Sequence, residues 1–137
     1  MGNLANDDRA SVNTAITLRD LEVAWNTGDL SVLDSSLHPE CVGHFPSSAE
    51  IRGPEAVKDL VAGFRSLFSE LRVEVDDLIA KGDKVVARWH AAGTAATVGK
   101  RVQFTGITID RFADGQIVES WSEWDSAGLA GQLQSSA

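Results

Sequence analysis

The sequence predicts an α+β domain in which helices pack on one face of a curved sheet. Helical periodicity dominates the first half of the chain, and strand-like alternation dominates the second half. Helices followed by a meander of strands are typical of segregated α+β folds. A chain of 137 residues suits one domain and holds a core without a metal ion or disulfide. We therefore expect residues 11–134 to form a single domain behind a disordered tail at 1–10.

The three main predicted helices lie before residue 70. Apolar residues recur at helical spacing from Ser11 to Trp25, and Asn26–Asp29 provides the stop. A short second helix begins after Asp29 and ends before His38-Pro39, because a residue that precedes proline disfavours the αR conformation. A third helix begins at Pro54 and carries the clearest apolar stripe in the chain, from Val57 to Phe68.

Strands account for most of the remaining sequence. Cys41 to Phe45 fits a first strand, and residues 71–80 and 85–92 alternate around the turn Lys81–Lys84. A long hairpin, residues 101–125, follows a short connection and turns at Asp114-Gly115. A last helical turn carries Leu129 and Leu133 before a tail of Gln and Ser residues.

The register of the long hairpin depends on its turn. A three-residue loop with a glycine bulge at Gly115 pairs Thr108 with Ser120, whereas a two-residue loop pairs Thr108 with Trp121. We prefer the first alternative because it gathers small polar side chains between aromatic ones, which leaves space for a pocket. The face that it creates carries Phe104, Gly106, Thr108, Asp110, Ser120, Ser122 and Trp124, and the opposite face carries Ile107, Ile109, Ile117 and Trp121.

Composition excludes several classes of function. The net charge of −8 and the absence of a basic cluster argue against a nucleic-acid partner. No apolar run is long enough to span a membrane and no secretory leader is evident, so we expect a cytoplasmic protein. Cys41 is the single cysteine and is expected to be a small buried side chain. The sequence lacks a Gly-x-Ser-x-Gly elbow and a glycine-rich dinucleotide loop, and no histidine pair has the spacing of a metal site.

Five short motifs resemble the SnoaL-like polyketide cyclases in their order and spacing. They are WNTGD at 25–29, LHPECVGH at 37–44, GPE at 53–55, FTGI at 104–107, and the run from Arg111 to Trp121 that contains DGQIVE. The resemblance extends from about residue 15 to about residue 133. It implies the cone-shaped α+β barrel of ketosteroid isomerase, scytalone dehydratase, limonene epoxide hydrolase and nuclear transport factor 2, in which a curved mixed or antiparallel sheet wraps around N-terminal helices.

The resemblance also implies site residues. His44 matches the position of the general base in the isomerases, and a neutral imidazole beside an apolar pocket can accept a proton; a structural histidine at a strand end is the alternative. The strand alternation, independently of the resemblance, puts Asp110 on the pocket face near the turn, either at the mouth as a second acid–base group or simply in solvent, which we favour. Relatives often carry an acid near Thr108 and a histidine at Ser120, so these residues and Ser122 are expected to bind rather than to transfer protons. The expected lining is Leu21, Trp25, His44, Phe64, Phe68, Trp89, Phe104, Thr108, Ser120, Ser122 and Trp124.

The activity implied is cofactor-independent chemistry on a polyketide-like or other cyclic, mostly apolar natural-product intermediate. Ring closure after proton abstraction next to a carbonyl is our first expectation. Two alternatives stay open: a cofactorless hydroxylase, or monooxygenase, in which a deprotonated aromatic substrate reacts with oxygen, and a non-catalytic carrier of an apolar ligand. The apolar face opposite the pocket, rimmed by charge, predicts a homodimer through the outer face of the sheet.

Overall fold

The computed structural model describes the backbone of residues 2–134 and the side chains of residues 8–134. The helices are α1 (Gly2–Arg19), α2 (Trp25–Thr27), α3 (Val32–Ser36), α4 (Pro54–Arg65) and α5 (Ser126–Gln134), and a π-helical turn, Asp20–Ala24, joins α1 to α2. The strands are β1 (Leu37–His44), β2 (Ile51–Arg52), β3 (Phe68–Lys81), β4 (Lys84–Ala95), β5 (Lys100–Ala113) and β6 (Gln116–Trp124). They form one open sheet in the order β2-β1-β6-β5-β4-β3.

This arrangement confirms the predicted α+β class. Strand β1 runs parallel to β6, whereas the other neighbouring strands are antiparallel, so the sheet is mixed. Helix α1 begins at Gly2, ahead of the predicted helix start at Ser11. Met1 and residues 135–137, which include most of the expected Gln and Ser tail, lie outside the described residues.

The first helical segment ends where the sequence predicts and is tied to the sheet there. Gly28 has a φ of 77° and its N–H donates to the Ala24 carbonyl, which closes the helix end with a left-handed residue. The Asn26 side chain donates to the Val73 carbonyl and accepts from the Val73 N–H, at 2.9 and 2.5 Å. These two bonds fix the C-terminal end of the helical segment against β3.

Two helix ends differ from the prediction. Helix α3 ends at Ser36, and β1 begins at Leu37, because the restriction before Pro39 already favours extended backbone there. Helix α4 ends at Arg65, and Phe68 starts β3 instead of continuing the apolar stripe of the helix. A tight turn causes this change: the Leu67 N–H donates to the Phe64 carbonyl, and the Leu67 carbonyl accepts from Ala96.

The hairpin of β5 and β6 has a different register from the one we preferred. Asp114 and Gly115 both have positive φ, 51° and 79°, and Ala113 pairs with Gln116, which defines a two-residue type I′ turn. The pairing then shifts by one residue at Val118, a β-bulge. Thr108 therefore pairs with Ser122, and the predicted Thr108–Ser120 pair is wrong.

After the bulge, the residues of β6 lie on the faces that we predicted, whereas the residue between the turn and the bulge lies on the opposite face from the predicted one. Gly106, Thr108, Asp110, Ser120 and Ser122 share one face, as expected, because the observed pairing differs from the predicted pairing by two residues, and a shift of two residues keeps each side chain on its face. Ile117 lies between the turn and the bulge and is only 3% exposed. It packs in the core with Leu33, Leu37, Val85 and Phe112, so its expected place on the outer face is wrong.

Candidate active site

Two adjoining cavities lie between the helices and the sheet. Their volumes are about 20 and about 60 Å³, and both are lined by Leu21, Trp25, Thr108 and Ser122. The smaller cavity is surrounded mainly by aromatic and aliphatic side chains, whereas the larger one also contacts Asp20, Asp110 and Ser120. The site therefore has an apolar end and a polar end.

Aromatic rings in mutual contact form the apolar end. The Phe64 ring lies 5.6 Å from Trp25, 6.0 Å from Phe104 and 5.3 Å from Trp124, each in an edge-on arrangement. Trp89 crosses β5 directly over Gly106, where a Cβ atom would collide with the indole ring and lie 2.8 Å from the Glu123 carbonyl oxygen. Glycine at 106 is therefore required for Trp89 to form this wall.

A chain of hydrogen bonds connects the two ends. Trp89 Nε1 donates to Thr108 Oγ1 at 3.1 Å, and Thr108 Oγ1 lies 2.9 Å from Ser122 Oγ. Because Thr108 already accepts from the indole, its own proton can bond to Ser122. The Ser122 proton is then left to donate to a bound molecule.

Asp110 projects from β5 into the polar end and is 4% exposed, so its expected position in solvent is wrong. Its Oδ2 accepts from Thr17 Oγ1 on α1 at 2.9 Å, and its Oδ1 accepts from Ser120 Oγ on β6 at 2.7 Å. Burial raises the pKa of Asp110, while the hydrogen bonds from Ser120 and Thr17 oppose this rise. The result is a buried carboxyl that is held in place by two hydroxyl groups.

Asp20 is a second buried carboxyl in the polar end, and it is not among the predicted site residues. It begins the π-helical turn and is 8% exposed. Burial raises its pKa to about 7, with a further rise from the charge of Asp110 and opposing effects from Ser36 and Arg19. A signal was present in the sequence: Thr17, Asp20, Leu21 and Ala24 follow the helical spacing of a buried stripe, which places a carboxyl on an apolar face.

His44 lies on the opposite face of the sheet from both cavities. It pairs with Trp121 on β6, and its ring stacks on the indole at a centroid distance of 5.6 Å. His44 Nε2 donates to Glu119 Oε2 at 2.8 Å, and Glu119 also accepts from Arg111 at 3.1 Å. These two partners lower the pKa of Glu119. The expected position of His44 in the pocket wall is therefore wrong, because β1 turns its neighbour Gly43 inward instead.

Most of the predicted lining is present. Phe68 is buried, but it packs behind Phe64 and Phe104 and does not reach either cavity. Phe45, Leu71 and Val73 are lining residues that the sequence analysis did not name. The residues of the predicted lining that do line the cavities are Leu21, Trp25, Phe64, Trp89, Phe104, Thr108, Ser120, Ser122 and Trp124.

The side chains described give no sign of a metal centre or a membrane span. Across residues 8–134, no three His, Cys, Asp or Glu side chains cluster in a way that would hold a metal ion. Between residues 2 and 134, no helix is long and apolar enough to cross a bilayer. Cys41 is 2% exposed and packs in the core, as predicted, and burial raises the pKa of its thiol.

The fold and the cavity define a member of the cone-shaped α+β barrel class. The chain belongs to the SnoaL-like polyketide cyclase family, whose model matches residues 15–133. Solved structures with this fold include candidate polyketide cyclases, a candidate hydroxylase and an epoxide hydrolase. Comparison with curated protein sequences gives no match.

Solved structures share this fold over nearly the whole chain. A candidate SnoaL-like polyketide cyclase from Jannaschia sp. CCS1 is 23% identical, with a TM-score of 0.84, over 93% of this chain and 95% of that one. TsrD from Streptomyces laurentii is 30% identical, with a TM-score of 0.77, over 93% of this chain and 96% of that one. AclR from Streptomyces galilaeus, a candidate hydroxylase, is 26% identical, with a TM-score of 0.78, over 90% and 96% of the two chains.

Proposed function

We propose that this protein is a cofactor-independent acid–base enzyme that acts on a polyketide-like or other cyclic, mostly apolar intermediate. The observation that carries the proposal is the buried Asp110 carboxyl in the wall of a cavity whose other end is aromatic. Burial raises the pKa of this carboxyl and so makes its carboxylate a stronger base than an exposed one, which suits it to accept a proton from a substrate. Membership of a family of polyketide cyclases supports the substrate class.

In this mechanism, Asp110 removes a proton from a carbon next to a substrate carbonyl. The hydroxyls of Thr17 and Ser120 orient the Asp110 carboxylate and stabilise its negative charge before the proton is transferred. Ser122 donates a hydrogen bond to a substrate oxygen, and the aromatic end holds the ring system by burial of apolar surface. The enolate carbon then attacks a second carbonyl of the same molecule: the first carbonyl is restored as the new C–C bond closes the ring, and the π pair of the second carbonyl moves to its oxygen, which takes the proton from Asp110.

Substrate entry requires the cavity wall to move, because cavities of about 20 and 60 Å³ hold water-sized groups and not a ring system. Phe45 and Trp124 are both half-buried, and their rings lie 6.2 Å apart. Phe45 follows the last residue of β1 and precedes a loop in which Ser47 has a φ of 59°. The Phe45 side chain is therefore the part of the wall that can swing outward with the least disturbance of the sheet.

Hydrogen–deuterium exchange next to a ketone tests the proton-transfer step without knowledge of the substrate. The protein is incubated with 2-tetralone in D₂O, and loss of the α-proton signals is followed by NMR above the uncatalysed rate. We expect exchange that Asp110→Asn lowers by about 10²-fold or more, the usual size of a general-base effect. Asp59→Asn, which removes an exposed carboxylate on α4, is the control. Exchange in Asp110→Asn at the wild-type rate would show that Asp110 is not the base.

Hydroxylation is a second candidate, supported by the 26% identity to AclR. In that reaction, Asp110 would remove the proton of an aromatic hydroxyl, and the electron-rich anion would add molecular oxygen at a ring carbon as a hydroperoxide. Loss of water from the hydroperoxide leaves one oxygen atom on the substrate as a quinone carbonyl, and the substrate supplies all the electrons. Turnover of a phenolic substrate in air but not under nitrogen would favour this candidate. Tight binding of an apolar ligand with no turnover under either condition would favour a carrier.

A further inference from the structure

The π-helical turn brings a second carboxyl to the same polar end as Asp110. Thr17 and Asp20 are three residues apart, so they lie on one face of the helical segment. Thr17 is fully buried and bonds to Asp110, which places this helix face against β5. π-helical turns insert an extra residue into a helix and occur frequently at functional sites. Here the turn begins at the carboxyl that lines the larger cavity.

The surroundings of the two carboxyls differ. Both oxygens of Asp110 accept hydrogen bonds from hydroxyl groups. Neither oxygen of Asp20 has a hydrogen bond of standard geometry from the residues that the structure describes. Arg19 Nη2 approaches Oδ1 to 3.5 Å, and the buried Ser36 hydroxyl on the neighbouring α3 lies near enough to lower the pKa of Asp20 without such a bond. Hydrogen bonds from hydroxyl groups stabilise the charged form of a carboxyl, so the two donors on Asp110 oppose the rise in pKa that its burial causes. Asp20 lacks such bonds and has only the approaches of Ser36 and Arg19 to oppose its own burial, which leaves it the better candidate for the protonated form.

The charged groups around Asp20 do not reverse this difference. Arg19 is its only close cation among the described residues, and the carboxyl of Asp110 on β5 opposes a second negative charge. Strand β6 contributes the uncharged Ser120 and helix α3 the uncharged Ser36. Two interacting carboxyls in unequal environments are how acid–base enzymes assign one acid and one base at the same pH.

We infer that Asp20 is a second catalytic residue, which donates its proton to the substrate carbonyl oxygen while Asp110 removes the proton from the adjacent carbon. The C–H electron pair forms the C=C bond, and the carbonyl π pair moves to oxygen, which takes the Asp20 proton. The products of the step are a neutral enol, protonated Asp110 and ionised Asp20. This inference rests on the proposed function. It limits the substrates to molecules whose carbonyl end is neutral, because that end enters between the two carboxyls, where an acidic substituent would meet a negative charge.

Binding of 2-tetralone tests this role separately from exchange. A ketone oxygen only accepts hydrogen bonds, so protonated Asp20 binds it and ionised Asp20 does not. We expect the dissociation constant in wild-type protein, followed by tryptophan fluorescence, to rise about tenfold between about pH 5.5 and about pH 8.5. Asp20→Asn keeps a donor that does not titrate, so its affinity should be independent of pH, and Asp20→Ala should bind weakly throughout. Asp59→Asn should retain the wild-type profile.

The exchange rate gives an independent measurement on the same variants. Wild-type exchange should fall at high pH as Asp20 loses its proton, Asp20→Asn should lose this descending limb, and Asp20→Ala should be slower by about 10²-fold at every pH. If the protein exchanges 2-tetralone but binds it with the same pH profile in the wild type and in Asp20→Asn, the Asp20 inference fails and the proposed function stands. If binding depends on Asp20 as described but no exchange occurs, the proposed function fails. Undetectable binding to the wild type would overturn the inference.

Discussion

At the scale of single residues, Asp20 should make the stability of the fold depend on pH. The folded state raises the pKa of this carboxyl to about 7, well above its value in an unfolded chain. The folded protein therefore binds more protons than the unfolded chain between the two values. The part of the folding stability that depends on protonation of Asp20 is fully present below about pH 4. It is lost as the pH rises to about 7 and above, by up to roughly 4 kcal/mol.

Asp20→Asn removes this proton linkage and keeps the shape of the side chain. We expect the variant to match the wild type in free energy of unfolding near pH 4 and to exceed it near pH 8. Urea denaturation at the two pH values measures the difference, with Asp59→Asn as the exposed control. A wild-type protein that is equally destabilised relative to Asp20→Asn at both pH values would contradict the raised pKa.

His44 should have little influence on catalysis, since the imidazole lies on the other face of the sheet and bonds to Glu119. We expect His44→Ala to exchange 2-tetralone within about threefold of the wild-type rate, while Asp110→Asn loses about 10²-fold. Parallel NMR exchange assays on the two variants measure the contrast. A comparable loss in His44→Ala would restore the histidine as the base implied by the family resemblance.

These residues show what the sequence could and could not provide for the site. Alternation along β5 placed Thr108 and Asp110 on the cavity face correctly, because the side-chain period of a strand is fixed. The burial of Asp110 was not predictable, since it depends on Thr17, 93 residues away in the sequence. The position of His44 was inferred from the family, where a match in sequence position does not fix which way one strand-end residue points.

At the scale of elements, the bulge at Val118 determines which side chains of β6 reach the core. Ile117 packs inward before the bulge, and Ser120 and Ser122 face inward after it. Without the extra residue, an inward Ile117 would also bring Glu119 and Trp121 inward. The sequence offered the Asp-Gly turn and the alternation but no signal for a bulge, because a bulge is fixed by packing against both faces at once. This is why the faces of Ser120 and Ser122 were predicted correctly, whereas the register and the face of Ile117 were not.

Deletion of Val118 should therefore destabilise the protein far more than truncation of its side chain. Deletion forces either Ile117 out of the core or Glu119 into it, and we expect a loss of at least about 2 kcal/mol in the free energy of unfolding. Val118→Ala keeps the bulge and removes only part of a half-buried side chain, so it should cost less than about 1 kcal/mol. Chemical denaturation of both variants provides the comparison. Equal stability of the two would show that the hairpin tolerates either register.

At the scale of the whole molecule, the outer face of the sheet carries a continuous apolar row, which we call the outer row. Strand pairing aligns Ile79, Val86, Ile109 and Trp121 across β3, β4, β5 and β6, and the row ends at His44. Ile79 is 64% exposed, and the neighbouring Ile107 is 46% exposed. No helix covers these two isoleucines within the described chain. Ile117, which we expected here, belongs to the core, yet the row remains apolar because Ile79 and Val86 extend it across the sheet.

We propose that the outer row is the contact of a homodimer, since a twofold axis lets one apolar face cover its own copy. Trp121→Glu places a charge at the row and should shift the protein from dimer to monomer in sedimentation experiments at micromolar concentration, with no change in the secondary structure seen by circular dichroism. Val98→Glu is the matched control, because Val98 is 55% exposed in the β4–β5 turn and outside the row. It should remain dimeric. Wild-type protein that sediments as a monomer would refute the dimer, and a dimer that survives Trp121→Glu would place the contact on another surface.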